Sequence, residues 1–213
     1  MNTDILPSYD LRSAVRHLKR ADPVLGESII LTGPCRLKLR SQTHPFESLL
    51  RAIIYQQLSG KAAGTIYGRF AALFPAQDRI TAAHLLTLPD QSLRGAGLSR
   101  NKMLAVQDLA AKTLAGTVPG PGGLDDLTDD EIVARLTTVR GIGRWTVEML
   151  LIFTLGRPDV LPLDDLGVRK GFRSAYGMKK LPAASTLARA GKRWVPYRSV
   201  ASWYLWRAAD AVN

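Results

Sequence analysis

The sequence predicts an all-α fold of two packed helical lobes, and three observations carry that expectation. Apolar residues recur at three- and four-residue spacing along most of the chain, strand-like alternation is nearly absent, and the helical runs are divided by sharp Gly, Pro and Asp punctuation. The 213 residues, 46% apolar and 22% charged, are enough for one sizeable core or two small ones and exclude disorder as the main state.

Taken in order, Tyr9 to Arg20 places Leu11, Val15 and Leu18 on one face, and Asp22-Pro23 ends or bends the segment. Phe46 to Leu58, after His44-Pro45, aligns Phe46, Leu49, Leu50, Ile53, Ile54 and Leu58. Gly60 then breaks it from a second run through Ile66, Phe70, Ala71 and Phe74. Short helices are expected near Thr81 to Leu86 and Pro89 to Gly95, followed by a long one capped by Ser99 and reaching about Leu114. Thr117-Val118-Pro119-Gly120-Pro121-Gly122-Gly123 reads as a loop and a candidate crossover, dividing a single domain (1–213) into lobes of about 40–117 and 1–39 plus 118–213. Thr128 and Glu131 form a capping box for a helix to Thr138, so the acids from Asp125 to Glu131 suit a helix N-terminus. Further helices are expected at about Gly143 to Leu155, Leu166 to Tyr176, Ser185 to Trp194 and Tyr197 to Ala209.

Lone Cys35 excludes an internal disulfide, a thiolate zinc cage and a cysteine-held iron–sulfur cluster, and scattered His17, His44 and His84 make no metal motif. No apolar run approaches the roughly 20 residues of a membrane span. Met1 to Leu18 lacks the pattern of a leader, so a cytoplasmic location is expected. The net charge is +11, and Leu166 to Asn213 holds ten basic residues against Asp210 alone. Such one-sidedness favours a polyanion partner over a merely solvated basic face.

The most informative stretch is Leu136 to Val147. Gly141 and Gly143 flank Ile142 between two helical patterns, so the turn can adopt positive φ while Ile142 plugs inward. The exposed N–H groups opening the next helix would suit a phosphate without reading a base. A dinucleotide-binding loop is excluded, because Thr146 stands where its third glycine belongs and no strand precedes. An ordinary glycine turn remains open from these residues alone. Downstream, Asp164 and Asp165 open a basic helix; Asp164 is the preferred N-cap, and Asp165, among Leu163, Leu166 and Val168, would stabilise a developing cation.

The hairpin and the Asp-Asp-Leu-Gly-Val-Arg segment, together with Phe46 to Ala62 and Arg193 to Ser199 leading to Trp206, resemble the helix-hairpin-helix superfamily of base-excision DNA glycosylases. The resemblance covers roughly Pro45 to Asp210 and is to the DNA-3-methyladenine glycosylase II type, in a compact form without an N-terminal sheet domain. It implies a two-lobed helical fold with a helix-hairpin-helix motif near 136–150 that hydrolyses the N-glycosidic bond of alkylated bases in double-stranded DNA. It puts the catalytic acid on Asp165, through Asp165, Val168 and Lys170. The base pocket falls on Trp145, Trp206, Met149 and Leu166, the last two standing where aromatics are usual, and the wedge that fills the gap in the duplex falls on Gln57. Backbone contacts are implied for Arg140, Gly141, Ile142, Gly143, Arg144 and Thr146. The lyase members carry a lysine where Trp145 stands, so hydrolysis without strand cleavage is implied. No side-chain metal site or organic cofactor is expected. Main-chain carbonyls near Thr137, Val139 and Gly141 are a candidate site for a sodium or potassium ion. A monomer acting on DNA is expected, on the nucleoid or, in a eukaryote, in the nucleus. The alternatives are a bifunctional glycosylase/lyase and a non-catalytic DNA-binding module in which Asp165 is only a helix cap.

Overall fold

A computed structural model describes residues 5–40, 44–75 and 79–211. Among them the regular structure is helical apart from one isolated bridge between Ile5 and Leu39. The chain forms two compact units: Met1–Ser41 with Leu151–Asn213, and Gln42–Leu150. The return crossing falls inside a helix, α9 (Arg144–Phe153), and not at the Gly/Pro stretch 117–123. That stretch is an internal turn of the second unit. Val118 is fully buried, and Arg135 donates to the carbonyls of Gly116 and Thr117, holding the loop against its own helix.

The first unit holds α1 (Leu11–Ala21), α2 (Pro23–Thr32), α10 (Leu166–Ala175), α11 (Ala184–Gly191), a 3₁₀ turn (Lys192–Trp194) and α12 (Arg198–Asp210). Its core gathers Leu18, Leu25, Val168, Phe172, Leu187, Trp194, Tyr204 and Leu205. Helix α2 is not predicted by the sequence pattern. Asp22-Pro23 does end α1, but the same pair starts the next helix: Asp22 accepts from the N–H of Leu25 at 3.2 Å, and Pro23 sits at the first helical position, where no N–H is needed. Asp22 is also fully buried, where it takes the hydroxyl of Tyr176 and, at 2.8 Å, the indole N–H of Trp194. Helices α10 and α12 meet backbone to backbone. A Cβ added at Gly171 would stand 1.7 Å from the Leu205 carbonyl oxygen, so this crossing admits only glycine.

The second unit holds α3 (Pro45–Tyr55), α4 (Gly60–Ala71), α5 (Ala82–Thr87), α6 (Asp90–Gly95), α7 (Arg100–Leu114), α8 (Asp129–Leu136) and most of α9. Helix α7 packs against α3, α5 and α6 through Met103, Val106, Leu109 and Ala110. The capping box on α8 forms as its pattern requires: Glu131 N–H reaches the Thr128 hydroxyl at 3.3 Å, and Thr128 N–H reaches the Glu131 carboxylate at 2.8 Å. Helix α3 stops at Tyr55, earlier than the apolar stripe suggests, and Leu58 is exposed. The chain leaves the helix at Gln56, whose ψ of 134° is extended, and Gln57 follows at φ 57°, the one positive value outside glycine among the described residues.

Candidate active site and nucleic-acid interface

In the first unit the turn after Pro162 delivers Asp165 to the start of α10, with its N–H bonded to the Pro162 carbonyl at 3.2 Å. Asp165, not Asp164, is the N-cap: its Oδ1 accepts the Val168 N–H at 2.7 Å. Both acids could cap by sequence. The choice falls on Asp165 because it turns inward, 8% exposed, while Asp164 faces solvent. The same Oδ1 accepts the indole N–H of Trp206 from α12 at 2.8 Å. A surface cap needs neither burial nor an indole donor. Two donors on one oxygen fix the carboxylate's orientation, which is what a group stabilising developing positive charge requires. Trp206 is itself held by stacking on Phe153, with ring centres 5.5 Å apart, and the Arg40 guanidinium lies 5.8 Å from the Phe153 ring centre.

Gly167 makes this arrangement possible. A Cβ there would lie 2.8 Å from Trp206 Cδ1 and 3.1 Å from Asp165 Oδ1. Nothing in the sequence pattern singles out Gly167, since the residue it accommodates is contributed by α12. Leu166, next to the acid, is 52% exposed.

In the second unit the hairpin is anchored by Leu136, Val139 and Ile142, all buried, with Ile142 plugging inward as its setting between glycines requires. Gly141 adopts φ 77°, whereas Gly143 stays outside the left-handed region, and a Cβ added there would meet no heavy atom within 4 Å. The first glycine therefore serves the turn's conformation, and the second leaves space outside it.

Three side chains from elsewhere in the unit clamp this turn. Asp108 Oδ2 accepts the N–H of Arg140 at 2.7 Å and the Lys112 ammonium at 2.8 Å. The Lys112 ammonium also donates to the Thr138 carbonyl, and Gln56 Nε2 donates to the Gly141 carbonyl at 2.9 Å. Burial raises the Asp108 pKa, but the Arg140 N–H and Lys112 outweigh it and hold the carboxyl below its ordinary value. These clamps lie far from the hairpin in sequence. Their only trace there is an Asp-x-x-x-Lys pair, common on any helix.

Arg140 and Arg144 are exposed, and Arg144 forms long ion pairs of 3.7 Å with Asp130 and Glu148. Thr146 is 6% exposed, so its hydroxyl does not face outward. Trp145 is 48% exposed, unlike a core tryptophan, and Met149 is half-buried. Gln57 is exposed at the tip of the α3–α4 turn, outside the helix. The basic C-terminal segment divides: Arg169 holds the Pro182 carbonyl, Arg193 and Arg198 pair with Asp22 and Asp159, and Arg207 pairs with Asp210, while Lys179 and Lys180 stay exposed. Among the described residues no cluster of three His, Cys, Asp or Glu could hold a metal ion, and no helix is long and apolar enough to cross a membrane.

Residues 50–197 match the family model described as HhH-GPD superfamily base excision DNA repair protein. The chain is 34% identical over 204 residues to DNA-3-methyladenine glycosylase 1 of Schizosaccharomyces pombe, covering 95% of this chain and 90% of the relative. The solved structure of 3-methyladenine DNA glycosylase from Schizosaccharomyces pombe in complex with abasic DNA matches with a TM-score of 0.81 at 34% identity, covering 92% of this chain and 95% of that one. The crystal structure of DNA-3-methyladenine glycosidase from Bacillus halodurans matches with a TM-score of 0.85 at 32% identity, over 97% and 93% of the two chains. Fold, hairpin and sequence agree, and the chain belongs to the HhH-GPD superfamily of base excision DNA repair proteins.

Proposed function

We propose that this protein is a monofunctional DNA glycosylase that flips alkylated bases, of the 3-methyladenine and 7-methylguanine type, out of double-stranded DNA and hydrolyses their N-glycosidic bond. The observation that carries the proposal is the buried Asp165 carboxylate, oriented by the Val168 N–H and the Trp206 indole, in a chain whose relatives are 3-methyladenine glycosylases.

A purine alkylated at N3 or N7 carries positive charge. Its glycosidic bond breaks with the electron pair going to the base, which leaves neutral and needs no general acid. Positive charge then develops on the sugar, and a fixed carboxylate stabilises it where a mobile one would first have to reorganise. Water adds to the sugar carbon and loses a proton, giving an abasic site. The indole faces of Trp145 and Trp206 each suit a cationic base, an interaction of about 0.5–2 kcal/mol. The hairpin, with Arg140, Gly141, Gly143 and Arg144 at its surface, grips backbone phosphate and reads no base.

A sodium or potassium ion at the hairpin would be held by the Thr137 and Val139 carbonyls, hard oxygen donors that suit such ions. The Val139 carbonyl already accepts the Ile142 N–H at 3.1 Å and the Gly141 carbonyl the Gln56 amide at 2.9 Å, so at either of them the ion would take the second lone pair. The ion would add charge for one phosphate and take no part in bond cleavage. The protein works where DNA is, in the cytoplasm or on a nucleoid, or in a nucleus.

The test is incubation with alkylated duplex DNA. Free methylated base should appear and the strands should remain intact. A binding module would release nothing. Trapping of a covalent protein–DNA adduct by borohydride would reveal a lyase, for which Trp145 offers no amine.

A further inference from the structure

The turn between α3 and α4 is built in an unusual way. Helices that end in a left-handed residue usually place glycine there. Here Gln56 leaves α3 with an extended ψ of 134° and Gln57 follows at φ 57°, which costs about 1 kcal/mol for a residue with a side chain. Two carbonyls at the end of α3, that of Ile54 in its last turn and that of Gln56 just past it, are held by a side chain from another helix. Both accept the ammonium of Lys102 from α7, at 2.7 Å each. Burial lowers the Lys102 pKa, a cost met by two charge-assisted bonds at the negative end of a helix dipole. The side chain of Gln56, the residue before Gln57, then reaches across to the hairpin and donates to the carbonyl of Gly141 at 2.9 Å. Gly141 is the glycine whose positive φ shapes the phosphate-gripping turn.

We infer that Gln56 and Lys102 are positioning residues for base extrusion, which lock the turn carrying Gln57 to the hairpin so that phosphate grip and wedge move as one rigid piece. The inference rests on the glycosylase reading of the protein. A side chain inserted into a base stack does useful work only if its own main chain does not recoil, and the recoil must be resisted relative to the point where the protein holds the phosphates. Gln56 and Lys102 supply that resistance inside one unit. Satisfaction of the α3 carbonyls alone would not require the Gln56 side chain, and a turn selected only for shape would carry glycine in place of Gln57.

The experiment compares wild type with Gln56→Met, Lys102→Met, Lys102→Arg, Gln57→Ala and the double variant Gln56→Met/Gln57→Ala. Excision of 7-methylguanine is measured under single turnover with saturating enzyme, on duplexes with the lesion opposite cytosine or opposite an abasic site. Extrusion is cheaper where the base has no partner, so a defect in wedging shrinks there, whereas a general structural defect does not. The expected result is at least a tenfold loss for Gln56→Met and Lys102→Met opposite cytosine, falling to threefold or less opposite an abasic site. Affinity for undamaged duplex should stay within threefold and melting temperature within a few degrees. Lys102→Arg should recover most of the rate, and the double variant should be no slower than Gln57→Ala, because residues acting as one unit are not additive. Equal losses on the two duplexes, unaltered excision by Gln56→Met, or additive losses in the double variant would overturn the inference. If Lys102→Met does not fold, the half-buried Gln56 variants decide alone. A wild type that releases no base from either duplex overturns the glycosylase reading instead.

Discussion

Asp165 shows how much a neighbour distant in sequence decides at the scale of one residue. Two adjacent aspartates precede α10, and any helix N-terminus accepts either as its cap. The sequence favours Asp164, and the structure has Asp165 in that place because Trp206, forty-one positions on, donates to the same oxygen. Asp165→Asn should abolish base release while leaving affinity for lesion DNA within a few-fold, since the carboxylate acts on charge that develops only in the transition state. Turnover retained by that variant, in a single-turnover release assay, would move the acid elsewhere. Gly167 gives a sharper test of the geometry. Alanine in place of glycine favours a helix by up to about 1 kcal/mol, but here the Trp206 ring must shift to admit it, so the melting temperature should not rise. The new methyl would meet Trp206 Cδ1 at 2.8 Å and Asp165 Oδ1 at 3.1 Å, and release should fall about tenfold or more. A Gly167→Ala enzyme with wild-type excision would show that the indole bond to the carboxylate is dispensable.

Helices are legible in the sequence wherever a single apolar face or a cap marks them, and their ends are legible only where the terminating residue acts locally. The capping box of α8 is such a case, with donor and acceptor three residues apart. Helix α2 is hidden because Asp-Pro signals both a stop and a start, and its stripe is nearly as apolar on one face as on the other, leaving Ile30 and Leu31 exposed. The end of α3 is hidden because the groups that fix it are distant in sequence: Lys102 of α7 holds the carbonyls of Ile54 and Gln56, and the Gln56 side chain reaches Gly141 in the hairpin. Within the hairpin the two glycines have separate roles. Gly141→Val forces a β-branched residue to φ 77° against Ala105, so it should cost stability and weaken binding to damaged and undamaged duplex alike, by about tenfold. Gly143→Val meets open space at an ordinary φ. It should leave the melting temperature within a few degrees and still weaken binding, because the added branch occupies room that a DNA backbone would use. Thermal denaturation alongside duplex titration checks both, and a Gly143→Val protein that binds normally would remove the hairpin from the interface.

At the scale of the whole molecule, charge indicates a polyanion partner and apolar periodicity a helical fold, but the Gly/Pro stretch 117–123 misdirects the division into lobes. Proline and glycine mark a loop without saying what it joins, and the actual return crossing runs through the uninterrupted helix α9, which leaves no mark in the sequence. The range of substrates is also a property of the whole chain, since it depends on what the chain lacks as well as on what it places. Met149 is half-buried and Leu166 is 52% exposed, in positions where the resemblance puts aromatic walls. Methionine repacks around different shapes, and leucine is smaller than tyrosine, so bases of several shapes should be accepted, alkylated pyrimidines included. Charge is a stricter filter. The three histidines, the side chains best suited to protonate a leaving base near neutral pH, stand neither in the hairpin nor at the Asp165 cap: His17 is edge-on to Tyr197 with its Nε2 buried and unpartnered, His44 is bonded to Arg79 and His84 lies against Phe74. A neutral lesion must be protonated to leave, whereas a cationic one is labile already. Single-turnover excision should therefore proceed at comparable rates for methylated purines and methylated pyrimidines that carry positive charge, and at least a hundredfold slower for hypoxanthine. A strict preference for 3-methyladenine would refute that breadth, and hypoxanthine released as fast as 3-methyladenine would mean that a general acid does reach the base.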